Sequence, residues 1–233
     1  MLYCTNTHLK KMDKITFKFF KDLAIHNERE WFLENKSIYD QIVLNARELI
    51  SIWAHQLEDL EPLLKDTDPK KSIFRIYRDA RFSKDKTPYK THLGMAITKS
   101  GKNGKWAGWY LHFEPGNKSF IASGKWAPES NELKAIRQEI DYNTKKFNSI
   151  IEDENFVETF GSLDKGNALK KAPKDYAADH PAIEFLKLKS FTVSKTYTDE
   201  EVLSENFLST LVKDSKTVFP FIQFLNTSIE DTV

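Results

Sequence analysis

The sequence contains little cysteine and no long apolar segment, and each shortage excludes a class of protein. Cys4 is the only cysteine, so an intrachain disulfide or a multi-cysteine metal site cannot form, and a reducing compartment is expected. No apolar run approaches the roughly 18 residues that a membrane helix needs. The N-terminus also lacks the apolar region of a signal peptide. We therefore expect a cytoplasmic protein that does not enter a membrane.

The eight glycines form none of the motifs that bind nucleotides or activate a nucleophile. No G-x-G-x-x-G follows a predicted strand, and the segment GKNGKW has neither the Walker spacing nor a hydroxyl residue after its lysine. A G-x-S-x-G nucleophile elbow is also missing from the sequence. These absences argue against a dinucleotide-binding Rossmann fold, a phosphate-binding P-loop and nucleophilic catalysis.

The composition is that of an ordinary globular protein, with 40% hydrophobic and 30% charged residues in 233. A chain of this length can bury a substantial core without disulfides or metals. We expect residues 1–12 to form a flexible tail, as chain ends often do. Residues 13–233 are expected to form a single domain.

The spacing of apolar residues predicts helices at both ends of the chain. Apolar side chains from Phe32 to Leu57 recur at three- and four-residue steps, which predicts a long amphipathic helix that ends near Glu61. The C-terminal part predicts further helices, including two final ones over 199–213 and 215–226. Pro220 either disrupts the last of these helices or marks its restart.

Alternating segments between these helices predict strands. The strand candidates are SIFRIYRDAR, HLGMAIT, WAGWYLHFEP, KSFIASG and, later in the chain, SFTVSKTY. Short connections join the first four, which is typical of an antiparallel meander. The predicted fold class is therefore α+β, with one mainly antiparallel sheet packed on one side by N- and C-terminal helices.

A basic segment, FRIYRDARFSKDKTPYKTH, stands out against a net charge of only +1. From Lys70 to His92, eight Lys or Arg residues and two Asp residues give +6. A local cationic patch on a neutral background indicates a small bound anion more than a nucleic-acid coat. The predicted anion-binding residues are Arg75, Arg78, Arg81, Lys84, Lys86 and Lys90.

Strand alternation suggests which face of the sheet these charges occupy. If Phe74 and Ile76 face the helices, then Arg75, Tyr77, Asp79 and Arg81 start on the opposite, open face. By the same alternation, Tyr110, His112 and Glu114 point away from the core. An acid–base enzyme could use Tyr89 or His112 to move protons, with Asp79 or Glu114 orienting them.

Other interpretations stay open. The Arg and Asp residues could instead form a structural ion-pair network, in a nucleic-acid- or protein-binding module. His112 and Glu114, with His180 later in the chain, formally make up a set of two histidines and one carboxylate. Such metal sites typically occupy all-β scaffolds, however, so we predict no metal and no cofactor. The reaction, if there is one, and the oligomeric state are not predicted.

The run Arg75-x-x-Arg78-Asp79-x-Arg81-Phe82, continued by Asp85-Lys86-x-x-Tyr89, resembles the signature of a widespread bacterial family of about this length. Some fungal proteins contain the same domain within longer chains. The segments NEREWFLENK, YLHFEPG, GKWAPESNELKAIRQEI and KAPKDYAADHPAIEFLKLKS are also similar to stretches of that family. The family is known only as a domain of unknown function. The resemblance therefore implies a shared fold and draws attention to the basic segment, but it implies no reaction.

Overall fold

The computed structural model describes residues 12–102 and 104–230. Of the predicted tail, residues 1–11 lie outside the described residues, as does Cys4, whereas Met12 is buried in the core. The N-terminal part is helical. Its helices are α1 (Lys14–Ile25), α2 (Arg29–Glu34), α3 (Lys36–His55) and α4 (Pro69–Ser72), with a 3₁₀ turn over Pro62–Asp66.

The long helix that the sequence predicts is α3, which buries an apolar stripe including Ile42, Leu49 and Trp53. It ends at His55 and does not continue to Glu61. Successive turns follow it, with Leu57 N–H bonded to Ala54 and Leu60 N–H bonded to Leu57. Leu57 is nevertheless completely buried, so the last apolar position of the predicted stripe packs in the core although it lies beyond the helix.

The sheet has four antiparallel strands in the order β1-β2-β3-β4. The strands are β1 (Leu93–Ile97), β2 (Gly108–Phe113), β3 (Ser119–Lys125) and β4 (Phe191–Tyr197). The pairs Met95–Leu111 and Leu111–Ile121 lie on the face that is fully buried. The predicted α+β fold with one antiparallel sheet is confirmed.

Helices also follow the sheet strands in the chain. They are α5 (Ser130–Tyr142), α6 (Thr144–Ile151), α7 (Glu154–Phe160), α8 (Ile183–Leu186), α9 (Asp199–Leu203), α10 (Phe207–Thr217) and α11 (Phe219–Ser228). The two final helices of the sequence prediction are three in the structure, because Ser204 is extended and separates α9 from α10. Pro220 lies in the first turn of α11 and marks its restart.

The predicted strand SIFRIYRDAR is wrong. Only two isolated bridges form in this part of the chain, Ile73–Met95 and Tyr77–Tyr89, and the segment folds back on itself as an irregular hairpin. Pro88 has no N–H to donate to a ladder. Asp79 and Asp85 accept hydrogen bonds from the backbone N–H groups of Arg81 and Thr87, so local turns replace strand pairing.

Ser215 of α10 connects the N-terminal helices to the sheet. Its hydroxyl oxygen accepts a hydrogen bond from Trp53 Nε1 of α3 at 3.0 Å. Its carbonyl oxygen accepts one from Trp109 Nε1 of β2 at 3.1 Å. The Trp109 ring also stacks on Phe219 at an interplanar angle of 8°. Both indole N–H groups therefore have partners inside the core, as buried tryptophans require. Among the described helices, none is long and apolar enough to cross a membrane.

Candidate functional site

The second face of the sheet, which we call the open face, carries the polar residues of β2. The cross-strand pairs on this face are Gly94–His112, Ala96–Tyr110, Tyr110–Ala122 and His112–Phe120. Small residues next to large rings leave a shallow trough of about 620 Å³. A Cβ atom on Gly94 would lie 2.6 Å from the Tyr110 hydroxyl oxygen, so glycine is needed there for the phenol to lie across β1.

Aromatic side chains form most of the walls of this trough. Its aromatic side-chain lining consists of Phe74, Trp106, Tyr110, Phe120 and Trp126. Trp126 is 68% exposed although it is a large apolar side chain. Lys102, Lys125 and Asp164 add charge to the lining. A concave surface with aromatic walls and a few charged groups is typical of a small-molecule site.

Next to the trough, two side chains of β2 and that of Glu114, which directly follows the strand, form a hydrogen-bonded array. The Tyr110 hydroxyl lies 3.1 Å from His112 Nδ1, and His112 Nε2 lies 3.0 Å from Glu114 Oε2. Because a carboxylate can only accept, Nε2 carries the proton, and Nδ1 accepts the hydroxyl proton of Tyr110. The other oxygen of Glu114 lies 3.3 Å from Lys118 Nζ. The sheet register agrees with the open-face position predicted for Tyr110 and His112, and Glu114, directly after β2, is hydrogen-bonded to His112.

His92 joins this array, although sequence reasoning did not include it. Its ring centroid lies 4.2 Å from that of His112. One ligand atom from each of His92, His112 and Glu114 lies within 4.8 Å of the other two. The register Leu93–Phe113, extended by one residue, places His92 opposite Glu114. Its position as the first residue of the predicted strand HLGMAIT was therefore the signal that could have identified it.

Burial controls the ionisation of this group. Burial and the neighbouring His112 together lower the pKa of His92 to about 4. Burial also lowers the pKa of His112, against the opposing effect of Glu114. Burial and the charge of Glu114 raise the pKa of Tyr110 to about 12. Both imidazoles and the phenol are therefore neutral near pH 7.

Arg78 and Arg81 are largely occupied by internal partners. Arg78 donates from Nη1 to Asp85 and to the Thr87 hydroxyl. Arg81 donates from Nε and Nη2 to the two oxygens of Asp79, at 2.9 and 2.7 Å. Two of the predicted anion-binding arginines therefore belong to a local ion-pair network, which was the alternative interpretation of the cluster.

Lys84, Lys86 and Tyr89 are further predicted site residues of the basic segment. Lys86 Nζ donates to the Ala80 carbonyl oxygen at 2.9 Å, and Lys84 is exposed. Tyr89 is 3% exposed and stacks on Phe32 at 4.2 Å. In the described part of the chain, no hydrogen bond, ion pair or ring contact joins Tyr89 or Asp79 to His112 or Glu114. The four predicted acid–base residues are thus split, and His112 and Glu114 alone are joined by a hydrogen bond.

Two lysines lie beside Phe74 at the rim of the trough, and the charge of Arg75 acts on one of them, Lys90. Lys90 Nζ and Lys102 Nζ lie 6.0 and 5.1 Å from the centroid of the Phe74 ring. Burial lowers the pKa of Lys90, and the charges of Arg75 and Lys102 lower it further. Within residues 12–102 and 104–230, no carboxylate forms an ion pair with Arg75, Lys90 or Lys102. We call these three residues the cation triplet.

His180 does not belong to the array that contains His112. Its Nε2 lies 2.9 Å from Asp141 Oδ1, and its Nδ1 accepts from the Ala182 N–H at 3.0 Å. Both ring nitrogens therefore have partners at the start of α8. The formal metal set that the sequence offered, with His180 as its second histidine, does not assemble.

The Arg78–Asp85 contact generates a prediction about stability and pH. Hydrogen bonds from the Thr87 N–H and from Arg78 lower the pKa of Asp85 to about 2. A folded-state pKa below the unfolded value stabilises the protein above about pH 4, and this stabilisation is lost as the pH falls towards about 2. Asp85→Asn should therefore lower the melting temperature at pH 7. The difference from wild type should shrink between about pH 4.5 and 2.5, as measured by circular dichroism. A difference that is constant over this range contradicts the contact.

A family model described as "Conserved hypothetical protein (DUF2461)" matches residues 15–224. Comparisons with the curated proteins and with the solved structures found no match. The matched segment includes the hairpin, the whole sheet and the helices that cover it, except for the last residues of α11. It therefore contains every residue of the open face and of the cation triplet. The chain belongs to the DUF2461 family of conserved hypothetical proteins.

Proposed function

We propose that the protein binds a small planar anion on the open face of its sheet, with the cation triplet holding the charged group. The observation that carries the proposal is that Arg75, Lys90 and Lys102 lie together without an ion-paired carboxylate in the described residues. After burial, the nearby charges of Arg75 and Lys102 also lower the pKa of Lys90. A bound anion would relieve the repulsion between these like charges.

The position of Phe74 supports a ligand that has a ring as well as a charge. Its ring contacts the edge of Tyr110 at a centroid distance of 5.7 Å, and both rings line the trough. A phosphate or carboxylate at the cation triplet would place an attached ring beside these aromatic walls. Guanidinium and ammonium groups suit such anions, and aromatic walls suit a flat apolar body.

The proposal changes which basic residues are functional. The sequence favoured six residues of the segment 75–90, including Arg78, Arg81 and Lys86. Arg78 and Arg81 pair with carboxylates, and Lys86 donates to the Ala80 carbonyl oxygen. Lys102, from the next segment, donates to the Ile73 carbonyl oxygen and lies beside Phe74 and Lys90, so it joins the proposed site. An acid–base reaction on the bound anion remains a prediction, and it would fall to His112 and Glu114. The proposal keeps the cytoplasmic location that the sequence predicts.

Phenyl phosphate tests the proposal, because it combines a ring with a phosphate. At millimolar concentration it should raise the melting temperature of wild type, since a ligand that binds only the folded state stabilises it. The double variant Arg75→Gln/Lys90→Gln should lose most of this shift. Lys84→Gln is the control, because it removes a charge from the exposed part of the same segment. No shift in wild type, or equal shifts in all three proteins, contradicts the proposal.

A second candidate function rests on the tip of the hairpin. Phe82 is 96% exposed, and the Arg81 guanidinium carbon lies 5.9 Å from the centre of its ring. Proteins that bind single-stranded nucleic acids use exposed aromatic rings to stack on bases and nearby cations to contact phosphates. This observation favours a nucleic-acid-binding module, in which the Arg78 and Arg81 ion pairs stiffen the loop.

Fluorescence anisotropy with a labelled single-stranded DNA distinguishes this candidate from the first. If the tip binds nucleic acid, wild type should bind with an affinity that falls as salt rises. Phe82→Ala should weaken this binding, by about 1–3 kcal/mol if one base stacks on the ring. Tyr142→Ala removes another exposed ring, on α5, and should have no effect. Absence of salt-dependent binding by wild type rules out the candidate.

A further inference from the structure

We propose that His92, His112 and Glu114 bind a divalent transition-metal ion, such as Zn²⁺ or Fe²⁺, at the end of the open face. The inference rests on these side chains and their supports, and it does not require the anion proposal. Two imidazoles and one carboxylate are a ligand set that first-row transition metals prefer, and they leave coordination positions for water or a substrate.

The spacing of the ligand atoms is the first argument. His112 Nε2 and Glu114 Oε2 are 3.0 Å apart, close to the separation of two neighbouring ligands that share one ion at about 2.1 Å. All three ligand atoms lie within 4.8 Å of one another. A modest rotation of the His92 imidazole, on the side chain just before β1, would close the remaining gap.

The second argument is that the ring nitrogens of His92 have no hydrogen-bond partner in the described part of the chain, although the side chain is half-buried. The unprotonated nitrogen of a neutral imidazole without a hydrogen-bond partner keeps a lone pair that is available to a metal ion. The His92 ring lies against that of His112, so a shared ion would satisfy one nitrogen of each.

The surrounding groups already orient the other two ligands. The Tyr110 hydroxyl lies 3.1 Å from His112 Nδ1. With metal at Nε2, the imidazole proton moves to Nδ1, where the Tyr110 oxygen can accept it. Lys118 occupies Oε1 of Glu114 and leaves Oε2 towards His112. Outer groups that fix the tautomer and direction of ligands are typical of metal sites.

The backbone adds a further support at Glu114. The Ser119 hydroxyl is 3.2 Å both from the Glu114 amide nitrogen and from its carbonyl oxygen. The carboxylate is thus attached to a fixed turn between β2 and β3. Phe120 stacks on the other side of His112 at a centroid distance of 4.6 Å. Two of the three ligands are therefore held in place before any ion binds.

Titration of chelator-treated protein with Co²⁺ and Zn²⁺ tests the inference. Wild type should bind one ion, with a visible Co²⁺ spectrum that Zn²⁺ abolishes and Mg²⁺ does not. His92→Ala and Glu114→Gln should each weaken binding by at least about tenfold. Tyr110→Phe, which keeps all three ligands, should weaken it by about tenfold.

His180→Ala is the matched control, since it removes a half-buried histidine that has its own carboxylate partner. It should bind the ion as wild type does. Melting curves verify that each variant is folded, and His92→Ala is the decisive one because His92 has no hydrogen bond to lose. Absence of binding by wild type, or binding by His92→Ala and Glu114→Gln equal to that of wild type, overturns the inference. Phenyl phosphate binding at the cation triplet is measured separately with chelator present, so either proposal can fail alone.

Discussion

The strict alternation of β2 is the constraint on which the rest of the structure depends. Trp109, Leu111 and Phe113 are buried against the helices, and the Trp109 indole is fixed by the Ser215 carbonyl and by stacking on Phe219. Successive side chains of a strand point to opposite faces. Fixing these three residues therefore fixes the directions of the residues that alternate with them, Tyr110 and His112, and of Glu114 at the end of the strand. Core packing thereby places the polar array on the open face.

The open face combines small residues with polar ones, and this combination gives it a chemical character. Gly94 and Ala96 of β1 lie opposite His112 and Tyr110, so the large side chains are not crowded by their neighbours. His92 and His112 are partly shielded from water, which keeps their imidazoles neutral and available as acceptors or ligands. Tyr110 connects the trough with the hydrogen-bonded array, because it lines the trough and contacts His112.

The spacing of apolar residues predicted those helices, strands and side-chain directions that are determined by neighbouring residues in the sequence. The four strands, the long helix α3 and the positions of His112 and Glu114 all follow from spacing in the sequence. The hairpin did not, because Asp79, Asp85 and Thr87 form side-chain hydrogen bonds that compete with a ladder. No alternation rule measures that competition. The three closely spaced arginines of the basic segment were therefore a poor guide to which cations lack a carboxylate partner.

The cation triplet was predicted only in part. Arg75 and Lys90, on the two arms of the hairpin, were among the predicted anion-binding residues, whereas Lys102 follows β1 and was not included. Their proximity depends on how the hairpin folds against the sheet, which is a tertiary contact. His92 was similarly hidden, since a lone histidine at the end of a basic run gains meaning only from the register of β1 and β2.

Crystals soaked with a set of small planar carboxylates and phosphates test the central claim, that the open face is the ligand-binding surface of the protein. The account predicts that the bound fragments cluster between Phe74 and Tyr110, with their charged groups on Arg75, Lys90 or Lys102. A cluster at the hairpin tip around Phe82, or in the groove beside α5 near Lys134 and Gln138, with the open face empty, would contradict it.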